Sequence, residues 1–283
     1  MTSVINREKN CNNEISVLLA ENSNVDIKPS AYFHCKPLIG RMLAAILLIF
    51  LMPVILTTII VVRLTSRGPG IYRQRRVGLN GRVFTMYKIR TMRVDAESDT
   101  GAVWSIDNDT RITLVGWYLR KLHLDEFPQL VNVLYGQMAL VGPRPERPEI
   151  IPVLAENIPG YLDRLSVQPG MTGLAQVNLP PDCDLDDVRK KLALDLTYIK
   201  QATLFLDLCI IIYTTCRLFG LRSEMALRLL GLMRRVKSDP AMSTDTTECT
   251  TSNEADIDLL LNDVSRYDEN RPDSQSVLPS SPR

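Results

Sequence analysis

Along this chain the spacing of apolar residues changes repeatedly, and each change predicts an element. From Met42 to Val62, "MLAAILLIFLMPVILTTIIVV", there is no charged side chain, and at helical rise the stretch is ~31 Å long, the thickness of a bilayer core. It reads as a membrane helix with Pro53 near its middle. It follows a long polar leader and precedes no small-residue cleavage site, so a removable signal peptide is not expected. Residues 68–92, "GPGIYRQRRVGLNGRVFTMYKIRTM", alternate over short runs on either side of Asn80-Gly81, a two-residue turn signal, and predict a basic β-hairpin. The stretch Arg111–Leu122 is compatible with a helix, and Phe127, Leu130, Val131 and Leu134 recur at i, i+3, i+4 and i+7, predicting a helix that buries one face and stops at Gly136. Toward the C-terminus, apolar clusters alternate with Arg217, Arg222, Arg228, Arg234, Arg235 and Lys237. For 222–237 this favours an amphipathic helix on a membrane surface; for 204–216 a core helix reads equally well.

Composition divides the rest. Residues 1–30 are polar and Asn-rich, and 238–283 are rich in Ser, Thr, Asp and Pro; both read as disordered tails. The expected organisation is therefore a tail at 1–30, a membrane helix at 31–67, one domain at 68–237 with interfacial helices, and a tail at 238–283. A formal net charge of +1 gives no global pull toward nucleic acid, which is not expected as a partner. Six cysteines without C-x-x-C spacing, and only His34 and His123, predict reduced thiols and no zinc cluster.

Lys36 and Arg41 precede the apolar run, and Arg63, Arg67, Arg73, Arg75 and Arg76 follow it. The denser C-terminal flank belongs in the cytoplasm, while the basic N-terminal flank argues against exporting that end. Pro53 removes a backbone donor, which suits a bent helix that enters and leaves by one face. A kinked single span satisfies the same residues, and the sequence leaves both open.

The candidate chemistry centres on "HLDEFPQL", residues 123–130. Asp125 and Glu126 are expected in the opening turn of the helix that follows, where free N–H groups and the helix dipole keep a carboxylate ionised. Ordinary helix capping accounts for such a pair in isolation. Its company is less ordinary. Lys88, Arg90 and Arg120 approach it along the chain, and "LVGPRPERPE" sets Arg144 on a proline-stiffened strap. Gly170 and Gly173 in "QPGMTGLAQV" allow a sharp turn or a close approach to a ligand. The basic hairpin suits phosphates, and equally an anionic leaflet.

Taken in order, Pro53, "YKIRTM" (87–92), "HLDEFPQL", "VGPRP" (141–145), "PGMTGLAQV" (169–177) and "LDLTYIK" (194–200) resemble the monotopic phosphoglycosyl transferases, the bacterial sugar transferase family, over about residues 36–222. The resemblance implies transfer of a sugar 1-phosphate from a UDP-sugar to polyprenyl (undecaprenyl) phosphate with release of UMP. It makes Asp125 the nucleophile and Glu126 the holder of Mg²⁺, and places Lys88, Arg120 and Arg144 around the diphosphate, with Arg90 beside them. It favours the re-entrant helix, an α+β fold that is mainly helical, and a place on the inner, cytoplasmic membrane of a bacterium with the catalytic domain on the cytoplasmic face. Membrane lipids are further partners, and a homodimer is left open. A carboxylate is already ionised at neutral pH and needs no general base to attack, but an anion attacking a diphosphate needs charge neutralised by cations.

The chain departs from the family pattern at "KPLIG", where Pro37 and Gly40 replace an Arg and an Asp, at Gln168 for an Arg, and at His123 for a Ser. Two rival readings are a metal-dependent nucleotide-sugar glycosyltransferase using the D-x-D in "PDCDLDD" (181–187), for which an acidic loop is the plainer account, and a non-catalytic membrane-anchored protein that binds polyanions.

Overall fold

A computed structural model describes residues 15, 17–19, 28–94, 96, 109–180, 185–218 and 224–234. The expected tails at 1–30 and 238–283 lie largely outside these residues, as do 181–184 of the acidic stretch and parts of 222–237. Ile15 is the exception. It is 1% exposed and packs with Leu18 and Leu19 at helical spacing beside Val77, so an apolar i, i+3, i+4 triplet inside the polar leader joins the core.

Helix α1 runs Lys36–Thr65 and carries Pro53 inside it. Its length and composition suffice to cross a membrane. Beyond its first residue it buries only Ala44, Leu48, Ile55 and Val62, spaced by four and seven as one stripe, while Leu38, Met42, Ile46, Ile49, Phe50 and Leu64 stay exposed. Threonine hydroxyls bond back into the ladder around the proline, Thr57 Oγ1 donating to the Pro53 carbonyl at 2.8 Å and Thr58 Oγ1 to Val54 at 2.9 Å.

Strands β1 (Ile71–Val77) and β2 (Val83–Ile89) form the expected antiparallel hairpin, with Val77 opposite Val83 and Ile71 opposite Ile89. Asn80 (φ 52°) and Gly81 (φ 74°) both take the left-handed conformation that a tight turn demands. Helix α2 (Leu114–Lys121) is capped by Thr113, whose hydroxyl accepts from Gly116 N. Gly116 is required because a Cβ there would collide with the Thr91 carbonyl.

Helix α3 (Gln129–Leu134) follows, turned differently from expectation: Gln129, Leu130, Asn132 and Val133 are buried and Leu134 is 40% exposed. Asn132 sets this rotation. Its Oδ1 accepts from Tyr87 N at 3.2 Å and its Nδ2 donates to Thr85 O at 2.7 Å, so one side chain satisfies the free edge of β2. Phe84 and Met86 of β2 pack with Leu130 and Val133 against the buried stripe of α1.

The chain continues through β3 (Ala139–Val141), α4 (Ile151–Asn157), β4 (Gly170–Thr172), α5 (Leu174–Asn178), α6 (Leu185–Gln201), α7 (Leu204–Leu218) and α8 (Glu224–Leu229). Strands β3 and β4 make a short parallel ladder, Ala139 opposite Gly170 and Val141 opposite Thr172, which three-residue strands give no periodicity to predict. The described residues are thus mainly helical, with two two-stranded sheets. At the start of α6, Asp186 and Asp187 pair with Arg189 and Lys190 at i+3, the helix-start role of an acidic stretch.

Candidate active site

The carboxylate pair does not open α3. Leu124–Glu126 form a separate 3-10 turn, and α3 starts later, with Pro128 as its cap. His123, at φ 51°, makes the break: a non-glycine residue in the left-handed region turns the chain sharply after α2 and swings Asp125 and Glu126 toward the hairpin. The helix-dipole account expected for Asp125 therefore gives way to contacts from other elements.

Those contacts converge on one oxygen. Lys88 Nζ from β2 lies 3.0 Å from Glu126 Oε1, and Arg144 Nη2 from the proline strap lies 2.8 Å from the same atom. Neither bond uses Oε2. Burial opposes ionisation of Glu126, but Arg144 and Lys88 overcome it and hold the carboxyl well below the usual range. Glu126 and burial act oppositely on Lys88, where burial prevails and lowers its pKa. Arg144 is raised, chiefly by Glu126.

Asp125 sits next to this cluster at 8% exposure. Burial, then the adjacent Glu126 charge, push its carboxyl up to about 6, with Lys88 and Arg120 pulling the other way. The expected helix-start stabilisation of its charge is corrected accordingly: burial beside one like charge outweighs the neighbouring cations. At pH 7 it is still predominantly ionised.

Arg120 donates from Nε to Thr91 Oγ1 at 2.9 Å, which fixes its stem beside the site. Arg90 is placed elsewhere. It is 6% exposed, and its guanidinium donates to the carbonyls of Arg67 and Ser66 and to Ser66 Oγ, at the exit of α1. Of the sequence-predicted residues, Lys88, Asp125, Glu126, Arg120 and Arg144 come together and Arg90 does not: two residues from Lys88 it would share a face of a continuing strand, but β2 ends at Ile89 and Arg90 turns to the exit of α1 instead.

Two groups near the strap, Arg164 and Glu146, escaped the sequence reading, and Arg76, expected as part of the basic flank after α1, joins them. Arg76 Nη1 donates to Pro145 O at 2.9 Å, and Glu146 Oε1 receives Lys191 Nζ at 2.7 Å. Burial opposes the ionisation of Glu146, yet Lys191 and Arg164 bring its carboxyl down to about 2. Arg164 stands beside Asp163 in "YLDRLSVQ" and Glu146 among the prolines and arginines of "GPRPERPE", so neither charge stood out locally.

This order of elements and motifs has relatives. Residues 31–220 match the model of the bacterial sugar transferase family. The chain belongs to that family. It is 39% identical over 208 residues to a UDP-glucose:undecaprenyl-phosphate glucose-1-phosphate transferase of Xanthomonas campestris pv. campestris, covering 73% of this chain and 43% of that protein. It is 40% identical over 197 residues to a UDP-N-acetylgalactosamine-undecaprenyl-phosphate N-acetylgalactosaminephosphotransferase of Aeromonas hydrophila, covering 69% and 46%. A UDP-glucose:undecaprenyl-phosphate glucose-1-phosphate transferase of Caulobacter vibrioides is 38% identical over 181 residues, covering 63% and 67%. The chain thus spans less than half the length of the first two. In this member of the family, the matched segment contains every residue of the carboxylate cluster and the whole of α1.

Among the described residues, no group of three or more His, Cys, Asp and Glu side chains is arranged to hold a metal. Mg²⁺ does not require one: it keeps several waters and binds through one or two carboxylates plus phosphate oxygens. Adjacent Asp125 and Glu126, with Glu126 Oε2 outside both ion pairs, fit that donor set.

Proposed function

We propose that the chain transfers a sugar 1-phosphate from a UDP-sugar to polyprenyl (undecaprenyl) phosphate through a covalent aspartyl phosphosugar on Asp125. The observation that carries this reading is the buried Asp125 carboxyl beside a Glu126 whose Oε1 is gripped by Lys88 and Arg144. An Asp125 oxygen attacks the β-phosphorus of the donor, and the bond from that phosphorus to the bridging oxygen breaks, so UMP leaves with the electron pair. A phosphate oxygen of the polyprenyl acceptor then attacks the same phosphorus, and the Asp125 carboxylate departs. The product is a polyprenyl diphosphate sugar, and each step is a displacement that balances without a redox partner.

Lys88 and Arg144 supply the positive charge an anionic attack needs, exchanging Glu126 Oε1 for phosphate oxygens as the donor enters. Glu126 would hold Mg²⁺, which when bound neutralises the diphosphate and eases departure of the leaving group. Arg120 moderates the negative charge around Asp125 from the side.

Location supports the chemistry. Arg90 is bonded to Ser66 and Arg67 at the exit of α1, two residues from Lys88, so the site lies close to the end of the apolar helix. A water-soluble donor and a bilayer-bound acceptor meet at such a boundary. The basic residues after α1 favour the cytoplasmic leaflet, and α1 acts as a re-entrant anchor bent at Pro53. Exposed Met225 and Leu229 on α8 extend the apolar surface at the C-terminal end.

The decisive experiment incubates purified protein in nanodiscs with Mg²⁺, polyprenyl phosphate and a panel of UDP-sugars, and records UMP. One sugar should release UMP, and intact mass with donor alone should show a sugar-phosphate adduct lost in Asp125→Asn. An Asn variant that turns over normally would sink the reading.

A further inference from the structure

The strap that carries Arg144 is held by its backbone in an unusual way. Four consecutive carbonyls each receive a donor, one from β4, one from the Arg164 side chain and two from β1. Gly170 N of β4 donates to Pro143 O at 2.8 Å, Arg164 Nη2 to Arg144 O at 2.8 Å, Arg76 Nη1 to Pro145 O at 2.9 Å and Val77 N to Glu146 O at 2.9 Å. Prolines at 143 and 145 fix φ at two of these residues. The remaining freedom of the strap is therefore in how Arg144 itself is seated, and that seat is Arg164.

Arg164 lies in the 3-10 turn Tyr161–Ser166 and its side chain is 2% exposed. Nη1 donates to Tyr161 OH at 2.7 Å and lies 3.5 Å from Glu146 Oε1. Nη2 approaches Asp195 Oδ2 of α6 to 2.7 Å, yet Asp195 Oδ2 receives no aligned hydrogen bond. Nη2 carries two N–H groups, and one of them is directed at the Arg144 carbonyl. Asp195, also 2% exposed, supplies countercharge to a guanidinium that bonds Tyr161 within its own turn and the Arg144 carbonyl of the strap.

We propose that Arg164 is a positioning residue that sets the reach of the Arg144 guanidinium to the diphosphate, with Asp195 as its charge partner, so that α6 and the catalytic strap are one mechanical unit. This rests on the transferase reading for its catalytic consequence, though not for its structural one. The fork of arginine is the essential feature: lysine keeps the charge opposite Asp195 but, as a point charge, cannot meet Tyr161, Glu146 and the Arg144 carbonyl together.

The test is a double-variant cycle with an exchange measurement beside it, on the full chain in nanodiscs. Arg164→Lys should lower kcat/KM for the UDP-sugar about tenfold, as a small misplacement of a charged clamp does, and less than about twofold in an Arg144→Lys background, because a positioning residue acts only through the group it positions. Losses that multiply in full would overturn the proposal. Hydrogen exchange needs no turnover: Arg164→Lys should speed exchange at Gly142, Gly170 and Val77, whose amides tie the strap to its neighbours, and leave α3 protected, whereas Arg144→Lys should not. Unchanged exchange at those amides, or an equal rise in α3, also overturns it. A chain that transfers no sugar phosphate would defeat the proposed function alone and leave the exchange result to decide this one.

Discussion

The Arg144 guanidinium reaches Glu126 Oε1 at 2.8 Å across a sequence separation of 18, closing the strap onto the turn that carries Asp125, the proposed nucleophile. Lys88 shares that oxygen, so Glu126 holds two cations beside Asp125, where the proposed reaction needs them for the phosphate oxygens of the donor. Glu126→Gln removes the charge but not the shape. Turnover should fall roughly 100-fold, the scale of losing one preorganised electrostatic contact. The Asp125 carboxyl should also titrate lower, since the Glu126 charge is the second cause of its elevation after burial. UMP release measured across pH in the variant checks both.

In the native chain, the acid limb of kcat/KM reports Asp125. Its carboxylate is the attacking form and its pKa is pushed up to about 6 by burial and by Glu126, so kcat/KM should be level above pH 7 and fall as pH drops through about 6. A profile flat down to pH 5 would contradict this. The same elevation has a stability consequence of opposite sense. A raised carboxyl is held against its preference above the folded pKa, at a cost on the order of 2 kcal/mol that vanishes below the ordinary aspartate value. Asp125→Asn should therefore raise the melting temperature at pH 8 and leave it nearly unchanged at pH 4.

At the other end of α1, Lys36 Nζ lies 2.8 Å from Asp207 Oδ2, with both side chains below 10% exposure at 6% and 8%. Asp207 Oδ1 accepts from Tyr198 OH at 2.6 Å, Oδ2 accepts from Tyr32 OH at 3.0 Å, and the Lys36 ammonium stands 4.7 Å from the Tyr198 ring centre. This cluster ties the start of α1, at "KPLIG", to α6 and α7 of the domain. Asp207→Leu alone leaves a buried ammonium uncompensated and should cost about 3–5 kcal/mol, whereas Lys36→Met with Asp207→Leu should recover most of that loss. Thermal unfolding in nanodiscs distinguishes them; equal losses would show that the charges are not coupled.

What the sequence makes legible is whatever repeats at a fixed period or needs a particular residue. The uncharged run of α1, the Asn80-Gly81 turn and the apolar spacing after Phe127 are of this kind, and so are the carboxylates and Arg144 through their motifs. Three features have no local signature. His123 takes φ 51° at a position where nothing in the residue type demands it, and that single angle moves Asp125 and Glu126 out of α3. Asn132 fixes the rotation of α3 through β2, a contact between residues 45 apart, so the buried face differs from the one that apolar spacing suggests. Arg164 serves the site through a backbone carbonyl, which no motif of side chains records.

Arg90 shows the same limit most directly, and yields a prediction of its own. Basic residues clustered near a phosphate site look alike in sequence, yet Lys88 reaches Glu126 while Arg90 is turned to Ser66 and Arg67, where α1 ends with unpaired carbonyls. Ser66 Oγ accepts from Arg90 Nη2 at 2.7 Å and itself donates to Val62 O at 2.9 Å, so the guanidinium closes the last turn of the apolar helix and fixes where the chain enters β1. Arg90→Gln shortens the fork and should destabilise the fold by about 1–3 kcal/mol through buried acceptors left unpaired. Lys88→Gln, in contrast, removes a cation from the site. Below its melting temperature, then, Arg90→Gln should keep the KM for the UDP-sugar within about twofold of the native value, and Lys88→Gln should raise it at least tenfold for the loss of one charged contact. Steady-state UMP release at several donor concentrations makes the comparison, and a KM defect in Arg90→Gln equal to that in Lys88→Gln would return Arg90 to the phosphate site.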